Sequence, residues 1–187
     1  IQNIFCWKRN TYLRELNLDS EIIMTIKGPG KQYILYNYFY KNNKPDEILV
    51  NNISVNDNVI DLINGENEII LKWNSLLNTS KYMFYGQNNI TKIDFSNFDT
   101  SSVKDMSCMF CKCSSIISLN LSSFNTSSVK DMSYMFYLCD SLQYLNLKNF
   151  DTSHVTNMYA MFYHCILLTS LDLSSFNTTF INNIEFM

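Results

Sequence analysis

The sequence predicts an α/β solenoid, a curved stack of parallel short strands backed by short helices, with a β-rich cap at its N-terminal end. Three observations predict it. Met83-Phe84, Met109-Phe110, Met135-Phe136 and Met161-Phe162 recur at a constant spacing of 26 residues. The segments Ile93–Phe98, Leu119–Phe124, Leu145–Phe150 and Leu171–Phe176 recur with the same period. Within each unit, a two-residue alternation of apolar side chains gives way to a helix-like one. A unit of this size cannot bury its own apolar face, whereas stacked copies share a continuous core.

The elements follow in chain order. Residues 1–20 are either a leader packed on the cap or the tail of a preceding repeat, because Ile4-Phe5 followed by Leu13, Leu16 and Leu18 repeats the later pattern with an insertion. Residues 21–68 lack the 26-residue signature and are expected to form the β-rich cap. There, Glu21–Lys27 reads as a strand, Gly28-Pro29-Gly30 as a tight turn, Tyr33–Tyr40 as mixed strand or helix, and Glu47–Val50 with Ile53–Val55 as a pair joined at Asn51-Asn52. Residues 69–187 form the repeat array, with Ile69, Leu71 and Trp73 expected to supply its first rung.

Inside each unit, Leu119-Asn120-Leu121-Ser122 and its equivalents alternate as a half-buried strand does. Further on, Met106, Met109, Phe110 and Cys113 follow i, i+3, i+4, i+7, as do Met132, Met135, Phe136, Cys139 and Met158, Met161, Phe162, Cys165. This spacing predicts a short helix behind each strand. Thr100, Thr126 and Thr152 precede it and are candidates to satisfy exposed helix N–H groups. One period after Val155, Met158 and Met161 stand Ile181, Ile184 and Met187, so the pattern stops inside a repeat. The expectation is a longer parent with neighbouring repeats, or a nonstandard cap.

The run Leu119-Asn120-Leu121-Ser122-Ser123-Phe124-Asn125-Thr126-Ser127-Ser128-Val129-Lys130-Asp131-Met132-Ser133-Tyr134-Met135-Phe136, with Cys139 next in the pattern, resembles the leucine-rich-repeat class. It resembles more closely the 26-residue surface-protein repeat of bacterial lipoproteins and BspA-like proteins. The resemblance covers roughly Lys81 to Met187. It implies a parallel, leucine-rich-repeat-like solenoid, displayed on cell surfaces and used in adhesion or recognition, with no family-wide catalytic residues to transfer.

Composition excludes several classes. The formal charge is -3, from 14 basic and 17 acidic residues, and neither sign forms a long block, so no nucleic acid is expected as a partner. No apolar run approaches the ~20 residues that span a bilayer, and direct membrane insertion of this segment is not expected. Of the six cysteines, Cys113, Cys139 and Cys165 share one repeat column and read as buried thiols. Cys108 and Cys111 fall on the opposite side of the helical wheel and are expected to be exposed. They have no second pair with which to hold zinc, so no metal and no cofactor are expected. His154 and His164 occupy variable columns, no glycine-framed nucleophile accompanies them, and an enzyme is not expected.

Two surfaces remain for recognition. Tyr82 and Tyr134 share one column and Tyr85, Tyr137 and Tyr163 another, forming a candidate aromatic ridge opposite the Met-Phe-Cys columns. Tyrosine suits such a role because one rigid ring offers apolar contact and a directed hydroxyl. The runner-up is the strand face, with Asp94, Asn120, Tyr144, Asn146 and Asp172 pointing outward. The functional expectation is a non-catalytic, extracellular or cell-surface recognition or adhesion module binding a protein or glycan. The alternative is a structural spacer or self-assembling array element. The N-x-S/T triplets at Asn52, Asn78, Asn89, Asn120, Asn125 and Asn177 permit glycosylation in a eukaryotic secretory pathway, although this composition generates such triplets by chance.

Overall fold

The computed structural model describes residues 20–187, and the expectations for Ile4-Phe5, Leu13, Leu16 and Leu18 lie outside the described residues. Five strands build the largest element: β1 (Ser20–Tyr33), β2 (Glu47–Val50), β3 (Ile53–Val55), β4 (Val59–Trp73) and β5 (Ile90–Asp94). They form one antiparallel sheet in the order β3-β2-β4-β1-β5. Alternation sets its register. Ile22, Met24 and Ile26 of β1 are buried, and Leu71 and Ile69 of β4, opposite Ile22 and Met24, are buried with them. Asn51 and Asn52 join β2 to β3 with φ of 49° and 66°, the left-handed pair that matches the twist of a tight hairpin. Ile69, Leu71 and Trp73 therefore belong to β4 in this sheet and supply no first rung.

The repeats depart from the predicted solenoid. Among the described residues, the single α-helix is α1 (Asn37–Asn42), which precedes the repeats. Where helices were expected, the chain makes successive turns containing two left-handed residues each. Tyr82, Cys108, Tyr134 and Ala160 have φ of 60°, 57°, 56° and 51°. Four positions later, Gly86, Lys112, Leu138 and His164 have φ of 70°, 62°, 56° and 63°. Left-handed residues at this spacing interrupt an α-helix.

Hydrogen bonding explains why the turns win. The N–H groups of Ser80, Tyr82, Phe84 and Gly86 donate to the carbonyls of Asp105, Ser107, Met109 and Cys111 in the following rung, at 2.8–3.1 Å. The intervening N–H groups of Met83, Tyr85 and Gln87 close local turns on Ser80, Tyr82 and Phe84. An α-helix satisfies its N–H groups internally; this chain sends alternate ones to its neighbour. The same spacing that predicts a helix still buries Met106, Met109, Phe110 and Cys113.

Parallel pairing is sparse. It comprises three-residue strands β6 (Ser118–Asn120) and β7 (Tyr144–Asn146), with Leu119 opposite Leu145, and single bridges linking Thr79, Asp105, Asp131, Asn157 and Asn183 in series. Leu171 lies in no strand, and β5 pairs antiparallel with β1. The fold is thus β-rich and mainly antiparallel. Neither an α/β solenoid nor a leucine-rich-repeat solenoid describes it.

Side-chain columns hold the repeats in register. Phe84, Phe110, Phe136 and Phe162 stack at centroid separations of 5.7 Å throughout. The hydroxyls of Thr100, Thr126 and Thr152 cap no helix. Each accepts the N–H and donates to the C=O of one residue in the next rung: Asn125, Asp151 and Asn177, respectively. The thiols of Cys113, Cys139 and Cys165 donate in the other direction, to the carbonyls of Phe84, Phe110 and Phe136.

Candidate functional site

The left-handed position in each turn carries one tyrosine column, and the residue three places later carries the other. Tyr82 and Tyr85 lie 5.6 Å apart, as do Tyr134 and Tyr137 at 5.4 Å, both edge to face. Tyr137 and Tyr163 stack at 5.3 Å with planes 13° apart. The five predicted ridge residues are thus brought together in two groups. Between them, Cys108 and Cys111 stand where the flanking rungs carry tyrosines.

Those two cysteines are buried, contrary to the expectation from the helical wheel, with 8% and 3% of their surface exposed. The wheel fails because there is no helix, and the taller rings on either side stand above the small thiols. The Cys111 hydrogen bond holds the Cys108 thiol below its usual range against the effect of burial. The same bond, together with burial, pushes Cys111 up. Tyr82 is raised chiefly by the neighbouring Cys108 and then by desolvation.

Structure adds members that the repeat pattern did not nominate. Tyr36 lies 5.9 Å from Tyr82 and 4.9 Å from Tyr85, and Tyr38 lies 5.8 Å from Tyr82. Tyr159 packs 5.2 Å from Tyr134, and Phe186 lies 5.6 Å from Tyr159 and 6.2 Å from Tyr163. Phe186 was legible, standing two periods beyond Tyr134; Tyr36 and Tyr159 have no tyrosine one period away, and Tyr38 falls in neither of the two tyrosine columns. In the column between Tyr134 and Phe186 stands Ala160. The missing ring leaves a groove of about 230 Å³ walled by Tyr134, Tyr137, Tyr159, Tyr163 and Phe186.

A second cleft, of about 560 Å³, opens where the sheet meets the first turn of the repeats. Tyr33, Tyr36 and Tyr85 supply its rings, and Gln32, Gln87 and Asn89 are among its carboxamides. Its walls are tied together. Lys27 N–H donates to Asn89 O at 2.9 Å, Tyr36 N–H to Met83 O at 3.0 Å, and Asn89 Nδ2 to Gln32 Oε1 at 2.8 Å.

The strand-face residues are exposed, but their acceptors are engaged locally. Asp94 Oδ1 accepts from the N–H and hydroxyl of Ser96, which hold its carboxyl below the usual range. Asn120, Asn146 and Asp172 accept from the N–H groups of Ser122, Lys148 and Ser174. Tyr144 stands 61% exposed. His164 pairs with Asp140 at 3.1 Å on the surface, whereas His154 contacts Ser153. Among the described residues, no group of three or more His, Cys, Asp or Glu is placed to hold a metal ion, and no helix is long and apolar enough to cross a membrane.

Residues 113–187 match a family described as Mycoplasma protein of unknown function, DUF285. The match spans the later rungs, including Tyr134, Tyr137, Ala160, Tyr163 and Phe186, and leaves the five-stranded sheet outside it. No curated protein and no solved structure matches the chain.

Proposed function

We propose that this chain is a non-catalytic recognition module, extracellular or at the cell surface, that binds a protein or glycan through its tyrosine clusters. The groove at Ala160 carries this reading. Five aromatic rings surround a position where the column carries only a methyl group, so a ligand group can enter between them. Partly exposed tyrosine rings offer contact area at low conformational cost, together with hydroxyls that need partners. The strand face supports recognition less well, because local turn hydrogen bonds already engage its Asp and Asn acceptors.

The test compares the intact chain with the double variant Tyr137→Ser/Tyr163→Ser on arrays of purified secreted proteins and of glycans. The expected result is at least a tenfold loss of binding with an unchanged thermal melt. Equal binding by the variant, or no binding by either protein together with concentration-dependent growth of the particles in light scattering, would overturn the reading. The second result would favour a self-assembling element. Protease shaving of intact source cells tests the location: survival of the chain until lysis would remove the surface assignment.

A further inference from the structure

We propose that the cleft between β1, the approach to α1 and residues 85–89 is a binding site for a neutral saccharide. The proposal rests on the recognition reading above and names a ligand class for one end of the tyrosine surface.

The lining contains only tyrosine, asparagine, glutamine and glycine. A chain with 14 basic and 17 acidic residues has placed none of them in this wall. Lys112, whose Nζ lies over the Tyr85 ring at 5.5 Å, is outside the lining, so an ionic ligand would find no charged group in the wall itself to offset its desolvation. A neutral ligand incurs no such penalty.

Carboxamides then narrow the chemistry. Each side-chain amide presents two N–H donors beside an oxygen with two acceptor sites. A hydroxyl also both donates and accepts, so a row of carboxamides matches a row of hydroxyls without requiring a change of protonation state. Part of this capacity is already used to fix the geometry. Asn89 gives one amide hydrogen to Gln32, Gln32 gives one to the Lys27 carbonyl at 3.0 Å, and Asn88 Oδ1 accepts from the N–H and hydroxyl of Ser114. Asn88 retains both amide hydrogens, and Gln32 and Asn89 retain one each.

The rings supply the remaining contact. Tyr33 is 50% and Tyr36 is 36% exposed, and Tyr36 is held against Tyr85 at 4.9 Å. The C–H face of a pyranose is apolar while its rim is hydroxylated, the division this wall presents in reverse. A peptide would favour an aliphatic socket for an anchoring side chain or a countercharge, and the lining holds neither an aliphatic nor a charged residue. The volume falls within the ~300–1,000 Å³ of small-molecule sites, and the backbone ties between sheet and repeats make the cleft preformed.

The experiment titrates the whole 187-residue chain by calorimetry with neutral di- to tetrasaccharides of glucose, galactose and N-acetylglucosamine, and with an uncharged Gly-Ser-Asn peptide. At least one saccharide should bind, with affinity falling about tenfold in Tyr33→Ala and about fivefold in Gln87→Ala, as expected for loss of a stacked ring and a neutral hydrogen bond. Tyr33 is exposed and Gln87 half-buried, and a matching melt confirms the fold. Ile166→Ser, at an exposed position outside the cleft and the tyrosine clusters, should bind the saccharide unchanged. The proposal is overturned if no saccharide binds, if binding survives both cleft variants, if Ile166→Ser abolishes it, or if only the peptide binds. Failure here, while the ligand found on the arrays still binds in a manner sensitive to Tyr137 and Tyr163, sinks the saccharide site alone; insensitivity of that array ligand to those two residues sinks the broader reading.

Discussion

The rings of Phe110 and Phe136 are stacked, with 5.7 Å between centroids and planes 3° from parallel. Phe84 and Phe162 extend the stack on either side, so Phe136 is an interior member, fully buried with Met132 and Met135. Replacing it with Ala opens a cavity between two flanking rings that backbone hydrogen bonds hold apart. Urea denaturation of Phe136→Ala should show a loss of about 3–5 kcal/mol. A loss below about 1 kcal/mol would mean that the rungs close over the gap and that the phenyl column is not a core.

The threonine ladder predicts a polar counterpart. Thr126 is 1% exposed and its hydroxyl serves both the C=O and the N–H of Asp151, at 3.0 and 2.8 Å. Thr126→Val keeps the shape and strands both backbone groups, at a cost of about 2–3 kcal/mol in the same measurement. Thr126→Ser keeps the hydroxyl and should recover most of that stability. If the two variants are equally destabilised, the methyl group rather than the hydroxyl carries the effect.

Burial pushes the Cys113 thiol from 9.0 up to about 12. The unfolded chain therefore loses this proton first as pH rises, and the folded state binds more protons between those values. By proton linkage, the stability contributed by the neutral buried thiol is fully present below pH 9 and is lost as pH climbs toward 12, at most about 1.4 kcal/mol per pH unit. Urea midpoints measured across that window should fall more steeply for the parent than for Cys113→Ala. Parallel curves would show that this thiol is not shielded from solvent.

Ala160 is the gap in a column otherwise occupied by Tyr82, Cys108, Tyr134 and Phe186. Ala160→Tyr should place a ring in the groove and block whatever enters there, with at least a tenfold loss of ligand binding. The backbone already holds φ of 51° at this position and tolerates tyrosine at φ of 56° one rung earlier, so the melting temperature should shift by only a few degrees. Retained binding would move attention away from this groove.

Much of the sheet was legible because its signals are local. Glu21–Lys27 alternates and falls within β1, and Asn51-Asn52 carries the hairpin turn between β2 and β3. The buried columns were equally legible, since Met135, Phe136 and Cys139 repeat at fixed spacing and are buried. What the spacing could not distinguish was an α-helix from a turn with two left-handed residues. Both bring i, i+3, i+4 and i+7 to one side, and non-glycine residues such as Tyr82, Cys108 and Leu138 give no composition cue for positive φ. The error propagated to Cys108 and Cys111, placed outside by a wheel that does not apply. Tyr36 was beyond reach for another reason: its contact with Tyr85 depends on how the sheet meets the repeats.

The N–H groups of Ser80, Met106, Met132 and Met158 all address a later rung, each finding its carbonyl 25 residues ahead. This gives the second half of the chain a ruler with a single graduation. Adding or removing a whole block of 26 residues returns every donor to a carbonyl and every phenyl ring to a phenyl ring. Adding or removing one residue within a turn shifts its left-handed position and misaligns that rung with both neighbours. In this region, length is a discrete variable: a change by a whole block keeps the pairing in register, whereas a change by a single residue inside a turn breaks it.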